Sequence, residues 1–322
     1  MQKFSNDVEA ADALAQAYKK LKGEIAKVVI GQDDVVRLVL TAVFCQGHSL
    51  LVGVPGLAKT LLVQTIANAL DMQFKRIQFT PDLMPSDIVG AETMDKDRNF
   101  HFVKGPVFAN IILADEINRT PPKTQAALLE AMQENSVTIS GARYDLPKPF
   151  FVLATQNPIE QEGTYPLPEA QLDRFMFNIF LNYPSYQDEV TIVKATTTDE
   201  PRRVDKVLST DEITTFQHLV RRVPIADNVV EYAVKLSHLT RPGAGNGVAK
   251  DWLEWGAGPR ASQYMVLGAK CNALLSGKYS PDMEDVRAIA HPVLCHRIVR
   301  NFKAEAEGVS VNDVIDKIIK SV

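Results

Sequence analysis

The sequence predicts an α/β core built on a parallel sheet and followed by an all-α domain. Up to Pro184, short apolar runs that are typical of buried strands alternate with segments of helical periodicity. This alternation favours a parallel sheet with helices on both faces. After Pro184 the strand patterns stop, and only helical periodicity follows. We therefore predict a core over residues 1–184 and a helical domain over residues 185–322.

The predicted core strands share an apolar run of strand length. They cover residues 50–52, 74–79, 108–113, 150–154 and 175–181. The predicted core helices cover residues 8–27, a segment that Asp33 or Asp34 could cap, residues 59–70, and a helix that Pro121 and Pro122 open and that runs through Gln133. In sheets of this kind ligands bind at the carboxyl ends of the strands, so we expect functional side chains in the loops that follow them.

Two polar-tipped hairpins are predicted within the core. The first covers residues 91–103 with a charged turn at 95–99, and the second covers residues 137–146. We interpret the first hairpin as an insertion that projects from the domain. A mobile surface loop is the alternative.

The second domain is predicted to be helical, with several marked helix starts. The helices cover residues 186–194, 211–222, 227–239, 261–276, 282–291 and 311–319. Thr210 and Ser310 are expected to cap two helices, and Ser280 with the proline after it begins another. Pro292 should end or kink that helix. Residues 243–258 are interpreted as a glycine-rich loop. That loop contains two tryptophans, Trp252 and Trp255.

The composition is ordinary for a soluble globular protein, with 46% hydrophobic and 23% charged residues in a chain of 322. A net charge of −4 argues against a broad basic surface for nucleic acid. No apolar run reaches the length of a membrane span, and no signal-peptide pattern is present, so a cytoplasmic protein is expected. The cysteines Cys45, Cys271 and Cys295 are isolated from one another, and Cys45 and Cys271, which lie in apolar helical patterns, are interpreted as buried free thiols. The histidines His48, His291 and His296 are interpreted as solvated or packing residues rather than metal ligands.

A glycine-containing loop follows the first predicted strand. Gly53, Lys59 and Thr60 occupy the places of the phosphate-binding pattern G-x-x-x-x-G-K-[ST], with Ala58 in place of the second glycine. Small residues let backbone N–H groups surround a phosphate at a helix N-terminus. Lysine can reach the β- and γ-phosphates, and the threonine hydroxyl can bind Mg²⁺. A simple Gly/Pro turn between a strand and a helix is the alternative.

Acidic and amide side chains follow two later strands. Asp115 and Glu116 end one apolar strand, and Asn157 follows the next. An aspartate there can hold Mg²⁺ opposite Thr60, and the neighbouring glutamate can polarise a water for attack on the γ-phosphate. Asn157 could orient the same water, or it could simply form the turn before Pro158.

Three stretches together resemble the MoxR family of AAA+ ATPases. They are the loop of residues 53–60, the run Asp115-Glu116-Ile117-Asn118-Arg119, and residues 154–175, which begin Ala154-Thr155-Gln156-Asn157-Pro158. The likeness extends to residues 79–82 and 258–261, and Ala58 is itself a familiar feature of that family. The resemblance implies an AAA+ P-loop NTPase core with two β-hairpin insertions and a C-terminal all-α lid domain.

The resemblance also implies roles for single residues. Asp115 and Glu116 match the Mg²⁺-side aspartate and the catalytic glutamate, and Asn157 matches the sensor near the γ-phosphate. Arg174 matches the arginine finger that reaches the ATP of a neighbouring subunit, although an arginine in a local ion pair is the plainer alternative. Arg260 matches the second sensor on the lid, and it could serve its own subunit or a neighbour.

The implied site residues fall into three sets. The catalytic set is Lys59, Glu116, Asn157 and Arg174, and the metal-binding set is Thr60 and Asp115. The nucleotide-binding set is Gly31, Gln32, Gly53, Val54, Pro55, Gly56, Leu57, Ala58, Lys59, Thr60, Leu61 and Arg260. The implied cofactors are ATP and Mg²⁺.

The function that the resemblance implies is that of an ATP-hydrolysing, chaperone-like ring, hexameric by analogy. Such proteins remodel, mature or activate partner protein complexes, in some cases during metal cofactor insertion. The implied partner is a protein with a von Willebrand factor A domain or another protein client.

Other AAA+ functions are the alternatives. A DNA-directed motor should carry a basic hairpin tip, whereas residues 95–99 hold two acidic and two basic side chains. A magnesium-chelatase-type ATPase subunit would share the chemistry and differ in its partner. A nucleotide-binding scaffold that no longer hydrolyses ATP is disfavoured, because the predicted catalytic set is complete.

Overall fold

A parallel sheet forms the centre of the first of two structural units in the computed structural model, which describes residues 4–159, 163–199, 202–243 and 247–322. The first unit consists mainly of Ala17–Leu167 and Ile179–Thr214. The second unites the N-terminal residues up to Gln16 with Pro168–Asn178 and Thr215–Val322. The units interleave along the chain, and the single domain boundary near Pro184 stays a prediction. Residues 160–162 of the family-like run and residues 244–246 of the predicted glycine-rich loop lie outside the described residues.

The helices follow the predicted order closely. They are α1 Asp7–Ala26, α2 Asp33–Phe44, α3 Lys59–Ala69, α4 Pro85–Val89, α5 Pro122–Glu134, α6 Glu169–Leu172, α7 Tyr186–Thr196, α8 Thr210–Arg222, α9 Asp227–Leu239, α10 Gly247–Trp252, α11 Pro259–Leu275, α12 Met283–Leu294, α13 Phe302–Ala306 and α14 Val311–Lys320. A short 3₁₀ turn covers Ile117–Arg119.

The strands include those predicted and a few short additions. They are β1 Ser49–Val52, β2 Phe74–Gln78, β3 Gly90–Met94, β4 Phe100–Lys104, β5 Ile111–Asp115, β6 Ser136–Ile139, β7 Ala142–Asp145, β8 Phe151–Gln156, β9 Phe177–Phe180, β10 Leu253–Trp255 and β11 Val299–Arg300.

The central sheet has the strand order β2-β5-β8-β1-β9 within the described residues. β2 pairs with β5, β5 with β8 and β8 with β1, all in parallel. The residues of β5 and β8 are almost entirely buried, as expected for strands covered by helices on both faces. The predicted α/β core is therefore confirmed. The strand order also brings the ends of β1, β5 and β8 side by side.

Both predicted hairpins are confirmed, and they contact each other. β3 pairs with β4 and β6 with β7, each antiparallel. The Ser140 hydroxyl donates to a Glu92 carboxylate oxygen at 2.8 Å, and the rings of Phe102 and Tyr144 lie 4.3 Å apart between centroids. Gly90 has φ +98° at the base of the first hairpin, and a Cβ there would lie 2.2 Å from the Val103 carbonyl oxygen.

Two helix-start predictions for the second half of the chain need correction. Ser209, not Thr210, caps α8, because its hydroxyl accepts from the Glu212 N–H at 3.3 Å. Asp282 caps α12 two residues beyond Ser280, by accepting from the Asp285 N–H. The predicted cap of α14 at Ser310 is confirmed by a complete capping box.

The structure also differs from three other local predictions. α2 begins at Asp33 without a side-chain cap, and α12 ends two residues after Pro292. The segment interpreted as a glycine-rich loop contains α10 and β10, and β10 pairs with β11. The Trp252 ring explains part of this order, because the ammonium groups of Lys303 and Lys317 lie 4.8 and 4.9 Å from its centroid.

Candidate active site

A cavity of about 360 Å³ lies in the first unit, where β1, β5 and β8 end. It is lined by residues that the sequence had placed in three separate loops. They are Pro55, Gly56, Leu57, Ala58, Lys59, Thr60, Asp115, Glu116 and Asn157. The adjacency of the three strands thus brings the predicted phosphate loop, the acidic pair and the amide together at one edge of the sheet.

The loop before α3 has an anion-binding conformation. Gly56 and Ala58 have φ of +89° and +52°, and no side chain caps the first turn of α3 after Ala58. The N-terminus of this 11-residue helix therefore presents backbone N–H groups without a capping side-chain acceptor, together with the positive end of its dipole. The Lys59 ammonium donates to the Gly53 carbonyl. Space at Gly53 is tight, because a Cβ there would lie 3.0 Å from the Leu181 Cβ.

The Asp115 carboxylate is held on both oxygens. Its Oδ1 accepts from the buried Thr155 hydroxyl at 2.7 Å, and its Oδ2 accepts from Nε and Nη2 of Arg76 at 2.9 and 2.6 Å. The Thr155 oxygen also accepts from the Glu116 N–H at 2.8 Å. One hydroxyl on β8 therefore fixes both members of the acidic pair at the end of β5.

Glu116 has a left-handed backbone with φ 58° and ψ 49°. Its Oε2 accepts from Gln78 Nε2 at 2.7 Å and from Arg119 Nη1 at 3.0 Å. Gln78 ends β2, where the register places it opposite Asp115. The carboxylate is consequently oriented by side chains from two other segments and remains partly exposed to the cavity.

Sequence reasoning missed Thr155, Arg76, Gln78 and Arg119. Arg76 and Gln78 reach the acidic pair only because β2 lies beside β5, and the sequence alone does not give that strand order. Thr155 was part of the family-like run but had the appearance of an ordinary strand residue. The alternation of polar side chains in β2 is the one sequence feature that could have indicated the role of Arg76 and Gln78.

Apart from Asn157, the remaining predicted residues of the first unit lie outside the lining of this cavity. Asn157 is in the lining, and its Oδ1 also accepts from the Ile159 N–H at 3.2 Å, so its turn role is present as well. Gln32 donates from Nε2 to the Asn182 carbonyl at 3.2 Å, and Gly31 before it has φ +74°. Leu61 lines a separate cavity beside α3.

Arg174 and Arg260 both belong to the second unit. The Arg260 Nη1 lies 3.0 Å from the Asp173 carboxylate, directly before Arg174. The Arg174 carbonyl accepts from the Tyr264 hydroxyl at 3.4 Å. Within this unit the two predicted arginines are thus linked through one short segment.

The donor set at the cavity fits a nucleotide phosphate and a hard cation. It combines an ammonium, a hydroxyl, two carboxylates, an amide and an uncapped helix N-terminus. Mg²⁺ prefers oxygen ligands and is usually held by one or two protein groups together with substrate phosphates. In the described part of the chain no group of three His, Cys, Asp or Glu side chains could hold a metal by itself. Thr60 and Asp115 are suited to the cation, and the loop with Lys59 is suited to the phosphates.

His48 and His296 are buried, whereas His291 Nε2 lies 2.9 Å from an Asp316 carboxylate oxygen. His48 is buried, and burial lowers its pKa to about 4, while its Nε2 donates to the Met132 carbonyl. Burial also holds the pKa of His296 well below its usual value, and the charge of Arg297 lowers it further. Cys45 and Cys271 are buried free thiols. Among the helices of the described residues, none combines the length and apolar character that crossing a membrane requires.

Comparison with known proteins places this geometry in a family. Residues 48–177 match the ATPase family associated with various cellular activities (AAA), and residues 248–318 match the AAA lid domain. Chaperone MoxR1 of Mycobacterium tuberculosis is 42% identical over 93% of this chain and 80% of its own length. YeaC of Bacillus subtilis is 40% identical over 92% of both chains. A crystal structure of an ATPase candidate from Cytophaga hutchinsonii has a TM-score of 0.91 at 42% identity and covers 98% of this chain and 96% of its own. On this identity over most of both sequences, the chain belongs to the MoxR family of AAA+ ATPases.

Proposed function

We propose that this protein hydrolyses ATP in a ring of identical subunits and uses the hydrolysis to remodel, mature or activate partner protein complexes. The observation that carries the proposal is the single cavity that unites the phosphate loop with Asp115, Glu116 and Asn157. An oriented carboxylate beside a phosphate-binding helix N-terminus suits in-line attack of water on a γ-phosphate.

Within one subunit, each side chain has a distinct task. Lys59 and the N–H groups at the start of α3 bind the phosphates of ATP. Thr60 and Asp115 would hold Mg²⁺, which when bound neutralises charge on the β- and γ-phosphates. Glu116 polarises the attacking water, and Asn157 orients it. We assign the adenine side to Gly31 and Gln32, and further nucleotide contacts to Gly53, Val54 and Leu61 by family likeness.

A neighbouring subunit completes the site in this proposal. Arg174 acts as an arginine finger on the ATP of the next subunit, and Arg260 acts as the second sensor. Arginine fingers contribute roughly 10³ to 10⁵ in rate, so an isolated subunit should be nearly inactive. The ring is hexameric by analogy with other AAA+ proteins.

The client in this proposal is a protein complex, engaged directly or through a partner with a von Willebrand factor A domain. Metal cofactor insertion into such a complex is one form that the maturation could take. The nearly neutral turn of the first hairpin, with Asp95 and Asp97 beside Lys96 and Arg98, supports a protein client over DNA.

The ring requirement is tested by measuring ATP turnover per subunit over a range of protein concentrations, with the oligomeric state followed by sedimentation. We expect turnover to fall steeply as rings dissociate. The Arg174→Ala variant should form rings at high concentration and yet stay inactive. A turnover per subunit that is unchanged on dilution to monomers contradicts the trans-acting site.

The client class is tested by capture from the native cell extract with Glu116→Gln, which should bind ATP without cleaving it. Lys59→Ala, which should bind ATP poorly, is the matched control. We expect a protein complex that is retained with ATP, released with ADP and absent from the Lys59→Ala sample. Nuclease-sensitive nucleic acid in its place would refute the protein-client proposal.

A further inference from the structure

A buried arginine holds the segment that carries Arg174. The Arg297 side chain follows α12 in the second unit and is only 1% exposed. All five N–H donors of its guanidinium are used. They donate to Asp173 Oδ1 at 2.8 Å, the Asp173 carbonyl at 3.0 Å, the Met176 carbonyl at 3.2 Å, and the carbonyls of Phe175 and Val293.

Other side chains of the same unit reinforce this contact. Arg260 pairs with the second carboxylate oxygen of Asp173 at 3.0 Å, so that carboxylate bridges two arginines. The Arg297 guanidinium lies over the Tyr264 ring at 5.3 Å from its centroid, and the Tyr264 hydroxyl donates to the Arg174 carbonyl. His296 Nε2 donates to the Phe175 carbonyl at 3.1 Å. Backbone groups on both sides of Arg174 are therefore bound by residues from α11 and from the segment after α12.

The cost of burying the Arg297 guanidinium indicates that it serves to position residues 173–176 rather than to stabilise the fold. Burying a guanidinium carries a large desolvation cost, and a buried ion pair often contributes little net stability compared with apolar residues. The planar guanidinium instead fixes the positions of its partners, because its five N–H donors point in set directions. Here four of the five hydrogen bonds are made to residues 173–176, which include Arg174.

We propose that Arg297 is a positioning residue that fixes the backbone of Asp173–Met176, so that Arg174 is presented correctly to the ATP of a neighbouring subunit. The proposal rests on the finger role of Arg174 given above. It identifies the lid residue that controls this finger and predicts that loss of Arg297 impairs the neighbour's site while leaving the subunit's own cavity intact.

Mixed rings test this assignment. Rings that mix Arg174→Ala subunits with Glu116→Gln subunits should be active. In them an Arg174→Ala subunit keeps an intact cavity, and a neighbouring Glu116→Gln subunit supplies an intact Arg174 to that cavity. Arg297→Met alone should lower kcat by about 10²-fold, the loss typical of an approximately 1 Å misplacement, with an ATP dissociation constant within about twofold of the parent. Mixed with Glu116→Gln it should regain activity, and mixed with Arg174→Ala it should not.

The matched control is Arg287→Met, which also removes a lid arginine that lies against a tyrosine ring, at 5.4 Å from Tyr232. It should keep its activity in every mixture. Where Arg297→Met does not fold, Asp173→Asn carries the same mixing test, since it removes the charged partner and keeps the side-chain volume. A fully active Arg297→Met, or one that Glu116→Gln cannot restore although it restores Arg174→Ala, overturns the positioning role.

Failure of the underlying function gives a different pattern. An active Arg174→Ala, or one that Glu116→Gln cannot restore, shows that Arg174 is not a trans-acting finger, and the positioning role falls with it. A third outcome is that Glu116→Gln restores ATP turnover to Arg174→Ala and not to Arg297→Met. That result supports the finger role of Arg174 and refutes only the positioning role of Arg297.

Discussion

The two edges of the central sheet are built in different ways. At the edge where the strands begin, side chains satisfy buried backbone groups: His48 bonds the Met132 carbonyl and the Val152 N–H, each at 3.1 Å, and Asn110 bonds the Pro149 carbonyl at 2.9 Å. At the edge where the strands end, side chains mostly bond one another, and Ala58 and Glu116 have left-handed backbones. The first edge maintains the fold, whereas the second presents polar side chains to the cavity.

The largest test of this contrast is Glu116→Gln. If Glu116 polarises water as proposed, removing its carboxylate should lower ATP turnover by roughly 10² to 10⁴, the usual contribution of a general base. The free energy of unfolding should change by less than about 0.5 kcal/mol, because the side chain is partly exposed. Phosphate release and urea unfolding measure the two effects. Glu130→Gln, on the exposed face of α5, is the control. Equal turnover in both variants would remove Glu116 from the reaction.

The opposite edge should respond to acid through His48. Burial lowers the pKa of its imidazole from 6.5 to about 4, so the folded protein holds it neutral. The unfolded chain binds the proton first as pH falls, and stability should therefore decrease between pH 6.5 and 4 by up to about 3 kcal/mol from this group. His48→Gln should be less stable at pH 7 and lose less on acidification, with no change in the pH dependence of ATP binding.

Urea unfolding at pH 7 and near pH 4.5 measures that loss. The exposed His238, changed to Gln, is the control and should keep the parent's full loss. His296, also buried with a lowered pKa, contributes its own share in every sample. An identical acid loss in His48→Gln and the parent would show that His48 does not control stability at this edge.

Thr155 is the residue where the two kinds of construction meet. It is buried like the residues of the first edge, yet its hydroxyl serves both Asp115 and Glu116. Thr155→Val should cost about 1–3 kcal/mol, because the Glu116 N–H loses its partner. Turnover should also fall, by about tenfold or more, because the carboxylates lose their fixed orientation. Thr155→Ser keeps the hydroxyl and should retain most of both properties. A stable and fully active Thr155→Val would contradict the dual role.

The sequence was sufficient to predict the cavity but not the groups that orient it. Gly53–Thr60, Asp115, Glu116 and Asn157 each follow a strand, and the ends of parallel strands must meet, so their convergence could be foreseen. Thr155, Gln78 and Arg76 act across strands, and their partners are fixed only by the order and register of β2, β5 and β8. Arg297 is a stronger case, since four of its five hydrogen bonds are made to residues more than a hundred positions earlier in the chain.

Two predicted helix caps were wrong for a more local reason. Each predicted start, Thr210 and Ser280, has another residue of a type that caps helices within two positions, Ser209 and Asp282, so residue type alone does not select between them. In both cases the selected residue is the one with an acidic side chain three positions later, which returns a bond to the cap's N–H. Ser310 has the same partner in Asp313, and its prediction was confirmed.

The smallest effect that separates the edges is the relief of strain at Ala58. Its φ of +52° and ψ of 32° are disfavoured for alanine and acceptable for glycine, so Ala58→Gly should raise the free energy of unfolding by about 1 kcal/mol. Gln46→Gly relieves a similar φ of +57° away from the cavity and should stabilise to a similar extent. Only Ala58→Gly should weaken ATP binding, because a looser loop no longer holds the N–H groups of α3 in place before the phosphate arrives. Calorimetric unfolding with and without ATP separates the two results. Two variants that gain stability and bind ATP equally well would show that the strain at Ala58 has no part in the site.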